Sequence, residues 1–241
     1  MNSVWRDAWW LSRFELFKMT GPFKLVICTL GYFVFLIGLS NGSENMATKI
    51  LFDFVFVVAI TTLPYSLRSK EYQLTRVSGD FWGCHSFNFL QEQPISEDVL
   101  LKSRFLSNFV LSVVTNLILV SIFLITPSKL SSTLSIGESI IFLFLWLLIG
   151  LMVSFLLSAS DVGDVISMTK MIIFSTIIYG SILAMTVAYY FYIRISLVEG
   201  SIFLIKNYPI VTLVLATLFT IGSYLYWYRY SVKKVRTIDY L

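Results

Sequence analysis

Long apolar runs alternate with short polar breaks along the chain. The runs are roughly 18 to 23 residues long, the length a helix needs to cross a hydrocarbon core of about 30 Å. The pattern predicts membrane spans over about 23–39, 50–67, 105–125, 140–157, 171–193 and 210–228. Residues 4–20 precede them with a double stripe at helical spacing. Trp5, Trp9 and Leu16 share one face, Trp10, Phe14 and Phe17 another, and Arg6 and Arg13 lie between. A helix with lipid on one side and protein on the other carries such a pattern, and Trp-rich segments settle in the headgroup zone. The stretch reads either as a flank with anchoring aromatics or as an interfacial elbow helix, broken from the first span by Gly21-Pro22. Arg6, Asp7, Arg13 and Glu15 stand where a signal peptide has its apolar core, so no removable signal is expected.

The polar exception is residues 68–104, with Arg68, Lys70, Arg76, Lys102 and Arg104 balanced by Glu71, Asp80, Glu92, Glu97 and Asp98. A loop that binds anionic lipid is basic; a balanced one carrying Phe81, Trp82, Phe87 and Phe89 suits a protein partner. A short helix is expected over Phe81–Gln93, stopped by Pro94. Ser96 then N-caps the next helix, with Glu97 and Asp98 in its first turn, so the third span starts before the membrane.

Composition sharpens this picture. The 241 residues are 57% hydrophobic and 13% charged, whereas soluble domains carry about a quarter charged residues. The fold class expected is all-α integral membrane, a single transmembrane domain over 1–241. Apolar runs this long and without alternation do not fit a β-barrel. Six spans place both termini on one side. Of the 18 Lys and Arg residues, fourteen then fall with the termini and the 68–104 loop, and only Lys49, Lys129, Arg194 and Lys206 fall opposite. The termini, the loop and the basic tail 229–241 are therefore expected to be cytoplasmic. Topology accounts for the net charge of +4, and no nucleic-acid partner is expected.

Within the spans, Asp53 lies one turn from Lys49, a pairing that lowers the cost of a carboxylate at that depth. Pro64 is expected to kink or end the second span. Gly150, Ser154 and Ser158 share a face of the fourth span, and Gly180, Ala184 and Ala188 a face of the fifth, the spacing that lets helices approach closely. The apolar run 202–205 is too short to cross and is expected to dip into the outer leaflet or cap the bundle, with Glu199 as a solvated turn residue. Active-site chemistry is absent from the motifs. No phosphate-binding glycine loop ends in Lys-Ser/Thr, and the one histidine, His85, lies in the cytoplasmic loop. The two cysteines, Cys28 and Cys84, are too few for a disulfide framework. No catalytic residue, metal site or cofactor is expected on this chain, so its energy would come from a gradient or from another chain.

Taken together, an aromatic N-terminal helix, six spans and a long cytoplasmic loop between the second and third resemble a permease subunit of the ABC-2 type (type V) ATP-binding-cassette transporters. So does the Leu90-to-Ser96 stretch ending Pro-Ile-Ser before Lys102-Ser103-Arg104, although Gln93 stands where the family often has leucine. The resemblance implies a bacterial plasma-membrane exporter made of two permease chains, identical or mixed, surrounded by lipid and powered by separate ATPase subunits that hold ATP and Mg. Compact members with an unfused ATPase commonly export amphipathic peptides. It also implies an ATPase contact through Phe81, Trp82, Phe87, Asn88, Phe89, Leu90, Gln91 and Glu92, with Asp161 and Asp164 of the next cytoplasmic loop adding a second contact. The alternative is an ATP-independent sensor, immunity or assembly protein that binds peptide or lipid.

Overall fold

Apolar periodicity and end signals together set the helices. The structure, a computed structural model, describes residues 3–18, 30–32, 45–126 and 131–237. Its helices are α1 (Ser3–Phe17), α2 (Met46–Ser66), α3 (His85–Gln91), α4 (Glu97–Ile125), α5 (Ile136–Ser160), α6 (Met168–Ile193), α7 (Leu197–Asn207) and α8 (Pro209–Val235). Five of them, α2, α4, α5, α6 and α8, are long and apolar enough to cross a membrane, as expected of an all-α, multi-pass membrane protein. The expected first span lies outside the described residues except for 30–32, which are helical, with Tyr32 buried in the core.

Start signals behave as their chemistry dictates. Ser135 with Glu138, and Ser196 with Glu199, form reciprocal capping boxes at α5 and α7. Ser96 occupies the N-cap of α4 without a side-chain bond, and Pro209 opens α8, where its missing N–H is not needed. Pro64 sits inside α2, three residues before the Leu67 C-cap, and the helix runs through it to Ser66.

The 68–104 loop is not the simple loop-and-helix the sequence suggested. Residues 81–84 are strand, and α3 begins only at His85. Strands β1 (Leu74–Ser78) and β2 (Phe81–Cys84) form an antiparallel hairpin across Gly79 and Asp80, with Leu74 opposite Cys84 and Arg76 opposite Trp82. A third short strand, β3 (Asp164–Val165), comes from the α5–α6 connection and pairs with β2, so one sheet fuses the two loops. Gly163 makes this join possible. Its φ is 90°, and a Cβ there would lie 2.7 Å from both the Phe81 ring and the Trp82 carbonyl oxygen.

The main core is aromatic. Phe56 of α2, Phe123 of α4, and Phe142 and Trp146 of α5 stack within about 4.7 to 6.2 Å of one another. Helix α7 lays Val198, Ile202 and Ile205 on this cluster at the end of α2 away from the sheet. That is the capping arrangement the short apolar run 202–205 suggested. Helices α4 and α5 meet along the small-residue face of α5. Asn108 donates to Ser158 Oγ at 2.8 Å, Ser154 donates to the Asn108 carbonyl at 3.1 Å, and Gly150 makes room for the Asn116 amide. The matching stripe on α6 behaves differently. Gly180, Ala184 and Ala188 are exposed within the described chain, and Thr186 is the buried residue of that helix.

Candidate docking platform

At the sheet end of the bundle, four charged side chains from four separate segments converge in the interior. Helix α1 contributes Glu15, the end of α2 Arg68, α4 Arg104 and the end of α5 Asp161. The Arg68 and Asp161 side chains are fully buried. Arg68 Nε donates to Glu15 Oε1 at 2.6 Å, Nη1 donates to Asp161 Oδ1 at 3.1 Å, and Nη2 lies 2.9 Å from Asp161 Oδ2. Arg104 Nη1 donates to the other Glu15 oxygen at 3.0 Å, and Ser107 donates to that same oxygen at 2.7 Å. Two cations and two anions cancel, so the cluster stays charged without leaving a net charge in a low-dielectric interior.

Burial works against the charge on Arg68, but Asp161 and Glu15 outweigh it and hold the guanidinium above its usual value. Burial pushes Asp161 above the ordinary carboxylate range, against the pull of Arg68. The aromatic surroundings add contacts to the guanidinium faces: Arg68 lies over Tyr65, and Arg104 over Tyr72 and Phe87.

The α1 stripe that faces protein is Ala8, Ser12 and Glu15, spaced for one helical face. Neither aromatic stripe is the buried one: Trp5, Trp9, Trp10, Phe14 and Phe17 are all exposed. Ser3–Phe17 is helical, and its Glu15 carboxylate ties it to Arg68 and Arg104.

Over this cluster sits α3, with three distinct sides. Phe87 points inward, fully buried against Leu100, Leu101, Val162 and Val235. Phe89 and His85 are exposed toward α1, where a crevice of about 560 Å³ is lined by Trp10, Phe14, Tyr72, Phe89 and Arg104. Asn88 and Gln91 face the end of α8.

Among the residues expected at a partner surface, Phe89 and Glu92 are exposed, and Phe81, Trp82, Asn88, Leu90 and Gln91 are half-buried. Asp164 is partly exposed and pairs with Lys234 at 2.7 Å. Phe87 and Asp161 need correction. The first is a core anchor and the second part of the ion cluster, and both are withdrawn from any docking face. The sequence reading missed Glu15, Arg68 and Arg104 as a unit. Each looked like an ordinary flank charge, and only the tertiary fold brings them together.

At the other end, Asp53 takes a partner other than the one its spacing suggested. Its carboxylate accepts from the N–H groups of Leu197 and Val198 at the start of α7, while Lys49 reaches Glu199 at 2.8 Å. Glu199 is therefore a capping and ion-pair residue, not a solvated turn residue. Among the described residues, no group of three or more His, Cys, Asp or Glu side chains is placed to hold a metal ion. The chain matches no family model, no curated protein and no solved structure.

Proposed function

We propose that this chain is the membrane-spanning permease subunit of an ATP-driven exporter of amphipathic peptides or similar amphiphiles. In this reading it sits in a bacterial plasma membrane with six spans and both termini cytoplasmic. A separate ATPase subunit binds ATP and Mg and docks on the sheet-and-α3 platform, and a second permease chain completes the transporter. The observation that supports the reading is that the extended polar loop folds into a sheet and a short helix whose outward-facing and inward-anchoring residues are divided. Phe89 is presented outward, while Phe87 and the Glu15–Arg68–Asp161–Arg104 cluster fix the platform to α1, α2, α4 and α5. A push on α3 is then delivered to several span helices at once, because buried ion pairs and a packed core transmit displacement with little slack.

The test is co-purification of the tagged protein from its native membrane, followed by measurement of ATP turnover and export. Phe89→Ala is expected to lower both the amount of ATPase retained and the stimulated turnover, with the thermal stability of the chain unchanged. An ATPase-free preparation that still exports, or a Phe89→Ala protein with undiminished turnover and export, would overturn the reading.

A further inference from the structure

The exposed face of α8 changes chemistry along its length. Phe219, Gly222, Tyr226, Arg229, Tyr230 and Lys233 follow one another at three- and four-residue spacing, so they share one side of the helix, and all six are exposed. Between the Phe219 and Tyr226 rings Gly222 leaves a gap in the stripe, where an added Cβ would meet nothing within 4 Å. Residues 210–228 cover about 28 Å at 1.5 Å per residue, close to the thickness of a hydrocarbon core, which puts Arg229 where headgroups begin. Neighbouring elements fix the same level. Tyr228 donates to Asp98, Asp98 pairs with Lys102 at 2.6 Å, and Lys102 lies 5.2 Å from the ring of Trp5 on α1, whose exposed aromatics suit the headgroup zone. At this end Glu97, Asp98 and Asp164 face Arg236, Lys102 and Lys234. Arg229 and Lys233 have no acidic partner among the described residues. A shallow groove of about 480 Å³ beside them is lined by Tyr228, Arg229, Val232, Lys233, Arg236 and Thr237, three cations and no carboxylate.

We infer that this face holds one anionic phospholipid of the leaflet on the sheet side. The phosphate would lie between Arg229 and Lys233, which stand one turn apart, roughly 6 Å along the axis. The hydroxyls of Tyr226 and Tyr230 would donate to phosphate or ester oxygens. An acyl chain would run past Tyr226 into the gap at Gly222 and along Phe219. The apolar and cationic halves continue into each other on one face, and the change falls at headgroup depth, so the face fits a molecule with both chemistries in that order. A soluble acidic segment would match only the cationic half. Arg229 lies more than one turn before the helix end at Val235, outside the reach of the negative end of the helix dipole. The site rests on the chain spanning a membrane, and not on the exporter reading.

The experiment uses the full chain in a neutral detergent, with dioctanoyl-phosphatidylglycerol as the probe and native mass spectrometry to count adducts. A saturable adduct of one lipid per chain is expected. Its apparent Kd should weaken about tenfold or more in Arg229→Gln/Lys233→Gln protein, which loses two cations at the membrane surface. It should be unchanged in Arg6→Gln/Arg13→Gln protein, which loses the same charge from the exposed side of α1. Dioctanoyl-phosphatidylcholine, with the same chains and no net charge, should bind more weakly by a similar factor, and glycerol 3-phosphate, a head without chains, should give no saturable adduct. Equal affinity for phosphatidylcholine, saturable binding of glycerol 3-phosphate, an equal loss in the α1 variant, or a Kd unmoved by the α8 double substitution would each overturn the lipid site. So would loss of a co-purifying protein in the α8 variant with lipid binding intact, which would give the face to a protein partner.

Discussion

Glu15 is the residue whose removal best tests how the platform is held. Its carboxylate receives Arg68 Nε, Arg104 Nη1 and Ser107 Oγ, all within 3.0 Å, and its side chain is 6% exposed. Glu15→Ala would leave two buried guanidinium groups facing one remaining carboxylate, Asp161. Breaking a buried pair by deleting one partner costs about 3–5 kcal/mol, because the surviving charge keeps its desolvation penalty. For a chain of this size each kcal/mol lowers the melting temperature by about 2–4 °C, so the expected loss is roughly 6–20 °C. Thermal unfolding of detergent-solubilised protein, followed by size-exclusion fluorescence, reads it directly. A companion readout is the reactivity of a Ser12→Cys thiol, which should emerge from burial as α1 detaches. The double variant Glu15→Leu/Arg104→Leu removes one charge of each sign and should be more stable than the two single losses predict, by a coupling of roughly 1–3 kcal/mol. A Glu15→Ala shift below about 2 °C with Ser12→Cys still protected would refute the view that the carboxylate anchors α1.

Other expectations follow from local geometry. At Gly150 an added Cβ would lie 2.0 Å from Asn116 Nδ2 and 3.2 Å from Ile60, whereas at Gly180 it meets nothing within 4 Å. Gly150→Ala should therefore lower stability by about 1–3 kcal/mol and Gly180→Ala should be neutral or slightly stabilising, both measured by thermal unfolding. Asp53→Ala removes the carboxylate that receives the first N–H groups of α7; amide exchange over 197–207 should speed by about 5- to 30-fold, the equivalent of a lost cap, with the sheet unaffected. Burial raises the Cys84 thiol above its ordinary value, so less of it is thiolate at any given pH. In Cys28→Ser protein its maleimide reaction should be slower at pH 8 than that of free cysteine and still rising above about pH 9; a plateau below pH 8 would contradict the burial.

Much of the helical frame was legible in the sequence, because apolar length alone predicts spanning helices, and Ser96 and Pro209 mark their starts. The sheet was harder to see. Leu74–Ser78 and Phe81–Cys84 are short runs on either side of Gly79-Asp80, a recognisable hairpin signal, but β3 is two residues long and exists only because β2 is beside it. The buried face of α1 was hard to see for a related reason. Its aromatics are conspicuous on a helical wheel, yet tertiary partners decide which face is buried, and those partners are the arginines at 68 and 104. Local spacing suggested Lys49 for Asp53, but the unpaired N–H groups of a helix start proved the stronger claimant. Charge counted along the chain likewise could not tell that Arg68 and Arg104 are taken inside.

The spread of the ion cluster along the chain also sets an order of assembly. Glu15 and Arg68 are 53 residues apart, Glu15 and Arg104 are 89, and Arg68 and Asp161 are 93. At translation rates of about 5–20 residues per second, Arg68 waits roughly 5–20 s for Asp161 to be made. Until then the arginine lacks one of the two carboxylates that compensate its burial. The quartet therefore cannot be complete until the first two-thirds of the chain have been made.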